Sequence, residues 1–378
     1  MKQITVLFLG LVLLVSCKEN NTTTEAVVSE ELITETTDLE VKYAKGFRLK
    51  KIDHGYQLYI TKGWQDHDYV IGHKFIDQNA PKSALGIRTP VKSIVPTSTT
   101  HIPAITALNE HHTIVAFPGL DYISSSKVRE MIDKKVIEEI GQNQSLNVEQ
   151  VIALQPDLVM GFSIEGKNPA YESIERASIP IIYNGDWLEE HPLGKAEWIK
   201  VFGILYGKTA EAQAIFNDIE REYLATKKLV SNAIKPTVIG GAMWKDVWYL
   251  PYGDSWQGKM IADAGGDYIY KETSGNGSLS YAAERVLKDA RNAQYWIAPS
   301  QYTSYSDMQR DSNTYSLFDA FENQQVYTFS LTKGEKGGIT YYEEASMRPD
   351  IVLKDLVKIL HPEVALDHQL YFFKPLED

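Results

Sequence analysis

One cysteine is all the chain contains, Cys17 among 378 residues, so no disulfide can form within it and packing must hold the fold. Outside residues 4–15 there is no long apolar run, which excludes a protein that crosses a membrane many times. Positive charge is in short supply too. Lys and Arg number 38 against 50 Asp and Glu, a net charge of −12, whereas a general nucleic-acid binder carries a basic face. The G-x-S-x-G, H-E-x-x-H, G-x-x-x-x-G-K-[ST] and G-x-G-x-x-G signatures are all missing. Gly275-Asn276-Gly277-Ser278 is glycine-rich but does not directly follow a strand, as a phosphate loop would. What is present is a chain long enough for two domains, each with a sizeable core.

The N-terminus is organised for export. Met1-Lys2 precedes an almost wholly apolar stretch, residues 4–15, too short for a membrane span and suited to a secretory signal. It ends in Leu14-Val15-Ser16-Cys17, which resembles the bacterial lipobox, cleaved before a cysteine that is then lipidated. The lone cysteine stands where that chemistry requires one. Residues 1–16 therefore read as a signal peptide and Cys17 as a lipid anchor. Residues 17–44 read as a flexible tether, rich in Thr, Glu and Asn and without an aromatic residue until Tyr43, because such a segment cannot offset its chain entropy by burial. The expected location is the periplasm, on a membrane that the sequence does not specify.

The body changes pattern twice. Residues 45–88 look like an antiparallel β preface: Phe47 and Leu49 alternate, as do Tyr56, Leu58 and Ile60, around the turn Asp53-His54-Gly55. Residues 89–193 then alternate short strands (91–95, 113–117, 157–162, 179–183) with helices (100–109, 125–140, 147–154, 169–177). Residues 194–235 carry no strand signal. Trp198, Phe202 and Leu205 mark one helical face before Gly207-Lys208, and a helix of about 20 residues starts at Thr209. A second α/β run occupies 236–378, with strands at 237–243, 247–249, 295–298 and 325–329 and helices at 256–264, 280–290, 315–321 and 351–360. The expected class is α/β: two lobes with mostly parallel sheets, joined by a long rigid helix, with a ligand cleft between them.

Two segments echo each other. Asn147-Val148-Glu149-Gln150-Val151-Ile152-Ala153-Leu154-Gln155-Pro156-Asp157-Leu158-Val159 is a short helix feeding a strand, and 281–290 is its counterpart before the strand at Tyr295. The first resembles the N-L-E-x-I-x-A-L-x-P-D-L-V signature of the substrate-binding proteins that feed siderophore- and cobalamin-type ABC importers. The second is similar to its weaker C-lobe version, with Asn292-Ala293 in place of Pro-Asp. Ser93 to His101, Ala264-Gly265-Gly266-Asp267, Asn323 to Tyr327 and Arg348 to Glu363 resemble further family segments in the same order, over about residues 90–365.

That resemblance implies a monomeric receptor that grips a bulky ligand between two lobes and passes it, unaltered, to an ABC permease dimer with its ATPase. It also implies docking roles for Glu149 and Glu284, one carboxylate per lobe, reaching arginines of the permease. Read without the family, Glu149 is simply an acid in the positive first turn of a helix. The implied ligand is a ferric siderophore, haem or cobalamin; no cofactor, protein-held metal, nucleic acid or catalysis is expected.

Aromatic residues at strand ends and in loops are the natural lining for such a ligand: Phe117, Tyr122, Phe162, Trp187, Trp244, Trp248, Tyr249, Trp256, Tyr302 and Tyr305, with Trp244 and Trp256 favoured. Any one of them could equally fill a core. His101, after the first strand, could touch a ligand or be a buried histidine. Arg348 could pair with an acidic ligand group or with a carboxylate of its own lobe. Two rivals stay open. A receptor for a bare metal ion would need three or four converging ligands, and the obvious pair, His111-His112, lies away from the expected cleft. An exported hydrolase with an unrecognised site is the rival of another class.

Overall fold

The structure, a computed structural model, describes residues 39–61, 67–72, 85–162, 168–275, 277–364 and 367–378. The signal peptide, Cys17 and most of the tether lie outside the described residues. Residues 36–378 form one compact unit. No helix among the described residues is long and apolar enough to cross a membrane.

The preface is a four-stranded sheet. β1 (Phe47–Ile52), β2 (Gly55–Ile60) and β3 (His67–Gly72) run antiparallel, and β4 (Leu85–Arg88) joins β3 in parallel. Leu58, Ile60, Tyr69 and Ile71 are buried against the linking helices, where Phe47 meets Trp198 edge-on at 4.9 Å.

In the N-lobe, β5 (Ile94–Pro96) and β7 (Ile181–Tyr183) flank β6 (Leu158–Gly161), all parallel. The two-residue period divides their side chains between two cores. Val95, Val159 and Ile181 face one cluster, with Val151 and Tyr171; Ile94, Leu158, Met160 and Ile182 face the main core. Helices α1 (Ile102–Ala107), α2 (Ser126–Asp133) and α3 (Val148–Leu154) cover the sheet. The helix expected over 125–140 stops early because Lys135 adopts a positive φ of 56°.

Three helices link the lobes: α4 (Pro192–Glu197), α5 (Ile199–Leu205) and α6 (Thr209–Leu229), the last about 30 Å long at about 1.5 Å per residue. Ala212, Phe216, Ile219, Tyr223 and Thr226 form its buried stripe. The tether expected to run to residue 44 ends sooner. Glu197 accepts hydrogen bonds from the backbone N–H groups of Lys42, Tyr43 and Ala44 (2.8, 2.7 and 2.8 Å) and from Lys200 Nζ (2.6 Å). Glu189 accepts from the N–H groups of Lys45 and Gly46 (2.9 and 2.7 Å) and from Trp198 Nε1 (3.1 Å). Residues 39–46 thus belong to the body, held as a strap across the linking helices.

The C-lobe sheet begins in sequence with β8 (Thr237–Gly240). The strands Asp267–Tyr268 and, further along, Val326–Thr328 extend it in parallel, and Lys374–Pro375 closes one edge antiparallel. The expected strand 237–243 breaks at Gly241, whose φ is +70° and whose missing Cβ would lie 1.9 Å from the Tyr249 carbonyl oxygen. The chain there leaves the sheet for a separate antiparallel one: β9 (Ala242–Trp244), β10 (Val247–Pro251) and, beyond α7 (Trp256–Asp263), β11 (Ser278–Ala282). Residues 280–282 therefore form strand rather than helix, pairing with β10, and α8 (Ala283–Ala290) begins after them. β12 (Tyr295–Ile297) lies between β8 and β13 (Val326–Thr328). The helix expected over 315–321 is divided by extended backbone at Phe318. Finally, α9 (Thr340–Glu344) and α10 (Pro349–Leu360) close the lobe.

Candidate ligand-binding cleft

The carboxyl ends of β8, β12 and β13 meet the loop that follows β7, at residues 187–190, around a cavity of about 910 Å³. Parallel strands deliver their loops to one side of a sheet, so residues from distant parts of the chain converge there. Its wall is a column of rings. Phe329 lies parallel to Tyr341 (centroids 4.4 Å apart, planes 7° apart), and Tyr341 stacks on Trp256 (6.1 Å, 25°). Phe373 meets both Phe329 and Tyr341 edge-on. The β9–β10 hairpin supplies Met243, Trp244 and Tyr249, and the N-lobe supplies Trp187. Trp244 is 64% exposed, and Lys245 Nζ lies 4.5 Å from its ring centroid.

The polar groups at this cavity are already engaged. Lys195 is buried and donates to the carbonyl oxygens of Asp186 and Trp187 (3.0 and 3.2 Å), while its Nζ stands 5.2 Å from the Trp256 ring centroid. Burial pushes this ammonium below the usual lysine range, against the pull of Asp186 and Glu189. Glu190, on the rim, lies 3.9 Å from Lys259 and 3.8 Å from Lys45.

The lobes meet a second time around a cavity of about 750 Å³, bounded by α1, the start of α2, α6, α9 and α10. This seam is polar. Buried Glu343, on α9, accepts from the backbone N–H groups of Ser124 and Ser125 (2.5 and 2.9 Å), just ahead of α2 in the other lobe. Ser124 Oγ donates to the Gly338 carbonyl (3.1 Å), and a Cβ at Gly338 would lie 2.3 Å from the Tyr122 carbonyl oxygen. Burial raises the Glu343 carboxyl to about 7; Glu344 adds to the rise, while the two backbone donors and Arg129 oppose it.

The residues singled out in the sequence divide accordingly. Trp187, Trp244, Tyr249 and Trp256 line the aromatic cavity. Phe162 packs edge-on against Trp187 at 6.3 Å, behind the lining. Phe117 is buried in the core, and Trp248 is buried and stacked on Trp296 at 5.1 Å. Tyr122 is exposed beside the polar seam. Tyr302 donates to Asp311 (2.8 Å), and Tyr305 accepts from the Val326 N–H; neither lines a cavity.

His101 is wholly buried near Phe202, with neither ring nitrogen hydrogen-bonded, and burial lowers it to about 3, so the ring stays neutral. It faces the core and not the cavity because the turn Thr99–His101 rolls it inward. Arg348 gives both ends of its fork to Asp350 (2.9 and 2.7 Å) on the wall of the polar seam, so of its two open roles it takes the pairing within its own lobe. Phe329, Tyr341 and Phe373 were not singled out, although Phe329 satisfies the strand-end criterion that found the others. Among the described residues no group of three or more His, Cys, Asp or Glu is placed to hold a metal ion.

Glu149 and Glu284 each sit in the first turn of a helix, α3 and α8, and both are exposed. Asn147 caps α3 by accepting from the Gln150 N–H (3.1 Å).

The sequence model of the periplasmic binding protein family matches residues 94–330, more than half of the chain. The chain belongs to the periplasmic binding protein family. An uncharacterised lipoprotein of Methanocaldococcus jannaschii is 26% identical over 380 residues, covering 94% of this chain and 88% of that protein. Among solved structures, a possible iron-binding, periplasmic solute-binding protein from Staphylococcus epidermidis superposes with a TM-score of 0.56 at 17% identity, over 72% of this chain and 100% of that one. A periplasmic haem-binding protein from Pseudomonas aeruginosa gives 0.58 at 12% identity, over 76% and 99%. These two structures share the fold of this family member: paired α/β lobes with parallel sheets.

Proposed function

We propose that this periplasmic binding protein is the receptor of an ABC importer, that it holds one bulky metal chelate against the ring column Trp256–Tyr341–Phe329, and that it delivers the chelate to a permease. The aromatic cavity at the converging strand ends carries the reading. Stacked rings offer large apolar area with little rotamer entropy to lose, which suits a rigid ligand bound and released intact. The possible iron binding of one solved protein of the same fold and the haem binding of the other support a chelate as cargo. Ligand transfer requires no chemistry on the cargo, so the metal travels inside it as substrate.

The rest of the reading follows the chain outward. Cys17 carries lipid and holds the body at a membrane, in keeping with the lipoprotein relative. Exposed Glu149 and Glu284, one on each lobe, dock on permease arginines and set its register. A stiff α6 keeps lobe movement small, since a helix resists the dihedral changes of an open hinge.

The test has two arms. Thermal-shift screening of the full chain against ferric siderophores, haem and corrinoids should find a ligand that raises the melting point and quenches tryptophan fluorescence. Glu149→Arg combined with Glu284→Arg should then abolish uptake in cells while solution affinity for that ligand is unchanged. Normal uptake by the double variant rejects the docking role; absence of any bound chelate rejects the receptor.

A further inference from the structure

The charge around the cavity narrows the ligand further, on the footing of the receptor reading. Among the described residues that line it, the charged side chains are Glu189 and Glu190; no Lys, Arg or His is among them. The nearest cations are committed. Lys195 is bound to two carbonyl oxygens, Lys259 donates to the Asp254 carbonyl and faces Glu190, Lys45 also faces Glu190, and exposed Lys245 lies over the ring of Trp244 at the cavity's outer edge. The remaining lining combines aliphatic and small polar residues with aromatic rings, and the open face of an aromatic ring attracts cations and repels anions.

From this we propose that the cavity accepts an uncharged or singly cationic metal chelate and discriminates against polyanionic ones. A triply anionic tris-catecholate would shed its hydration on entry and find, among the described lining residues, two carboxylates and no cation, which is costly in a desolvated site. A neutral tris-hydroxamate or corrinoid sheds little and gains stacking area. A singly cationic chelate gains in addition from the exposed ring faces and from the rim carboxylate of Glu190. The volume of about 910 Å³ lies near the upper end of the range for small-molecule sites, about 300–1,000 Å³, so the cargo is a whole chelate and not a bare ion.

The experiment compares probes at constant metal. The full chain in detergent is titrated with ferrichrome (neutral), ferrioxamine B (singly cationic) and ferric enterobactin (triply anionic), with cyanocobalamin as a neutral corrinoid. Binding is read by tryptophan quenching and calorimetry at about 0.15 M salt. At least one of the neutral or cationic probes should bind about 100-fold or more tighter than ferric enterobactin, a gap of about 2.7 kcal/mol. Ferric enterobactin binding as tightly as the best of the others overturns the charge class and leaves the receptor standing. No binding by any of the four overturns the proposed charge class, and the receptor reading itself falls when haem, titrated alongside them, also fails to bind. As a second measurement, Glu190→Lys should shift the ratio of affinities by about tenfold towards ferric enterobactin, because it exchanges a rim carboxylate for a cation. An unchanged ratio would show that the rim charge does not select.

Discussion

The two lobes meet twice, and the two seams are chemically opposite. Around Glu343 the contact is polar and self-satisfied. A carboxylate of one lobe takes two backbone N–H groups of the other, and a glycine lets the backbones touch. Around Trp256 the contact is aromatic and incomplete: rings of one lobe and Trp187 of the other line a space with apolar surface to spare. Unburied aromatic area gains free energy from whatever covers it, whereas satisfied polar groups gain little from a newcomer. One seam is closed by its own hydrogen bonds, and the other leaves an open cavity.

The comparison breaks most readily at the rings. Trp256→Ala removes the outer member of the column and should weaken ligand binding about 100-fold, about 3 kcal/mol in the range for an aromatic anchor, with the fold retained by circular dichroism. Loss of less than about threefold would mean that the cavity is not the site. The next effect belongs to the polar seam. Gly338→Ala places a methyl against the Tyr122 carbonyl and should lower stability by about 2 kcal/mol through forced displacement, seen as reduced thermal stability without ligand.

Glu343 allows a sharper test through pH. Its carboxyl is raised from the usual 4.5 to about 7 in the assembled seam, so the seam binds a proton that the separated lobes do not hold between those values. The stabilisation is fully present below about pH 4.5 and is lost as pH rises through about 7. Glu343→Gln keeps the shape and removes the titration, so the slope of melting temperature against pH between 5 and 8 should flatten. An unaltered slope would place that proton elsewhere. The smallest expected effect is that of Arg348→Met, which unpairs Asp350 in the polar seam. Ligand affinity should change by less than about twofold even if stability falls, because Arg348 borders the polar seam and not the aromatic cavity. A larger loss in titration would join the two seams into one site.

Much of this arrangement is visible locally. The short buried strands at Ile94–Pro96, Leu158–Gly161 and Tyr295–Ile297 and the long helix after Thr209 announce themselves by period, and the Glu149 helix by its Asn147 cap. Trp187, Trp244 and Trp256, singled out as aromatic residues at strand ends and in loops, line the cavity. The β9–β10–β11 sheet was hidden, since Gly241 sends the chain out of a strand whose apolar run continues to Met243, and β11 begins within a stretch with helical periodicity. His101 and Trp248 were misplaced for a related reason: position after a strand does not say which way the next turn rolls.

Periodicity, capping and the export signal act within a few residues, so the order of residues along the chain is enough to set the α/β class, the lobes and the surface acids. The ring column, the strap held by Glu189 and Glu197, and the Glu343 contact join residues far apart along the chain, 219 positions in the case of Ser124 and Glu343. No local pattern encodes such a pairing. It exists only once the sheets have folded and brought their loops to the same place, and that geometry decides which aromatic rings are core and which border the cavity.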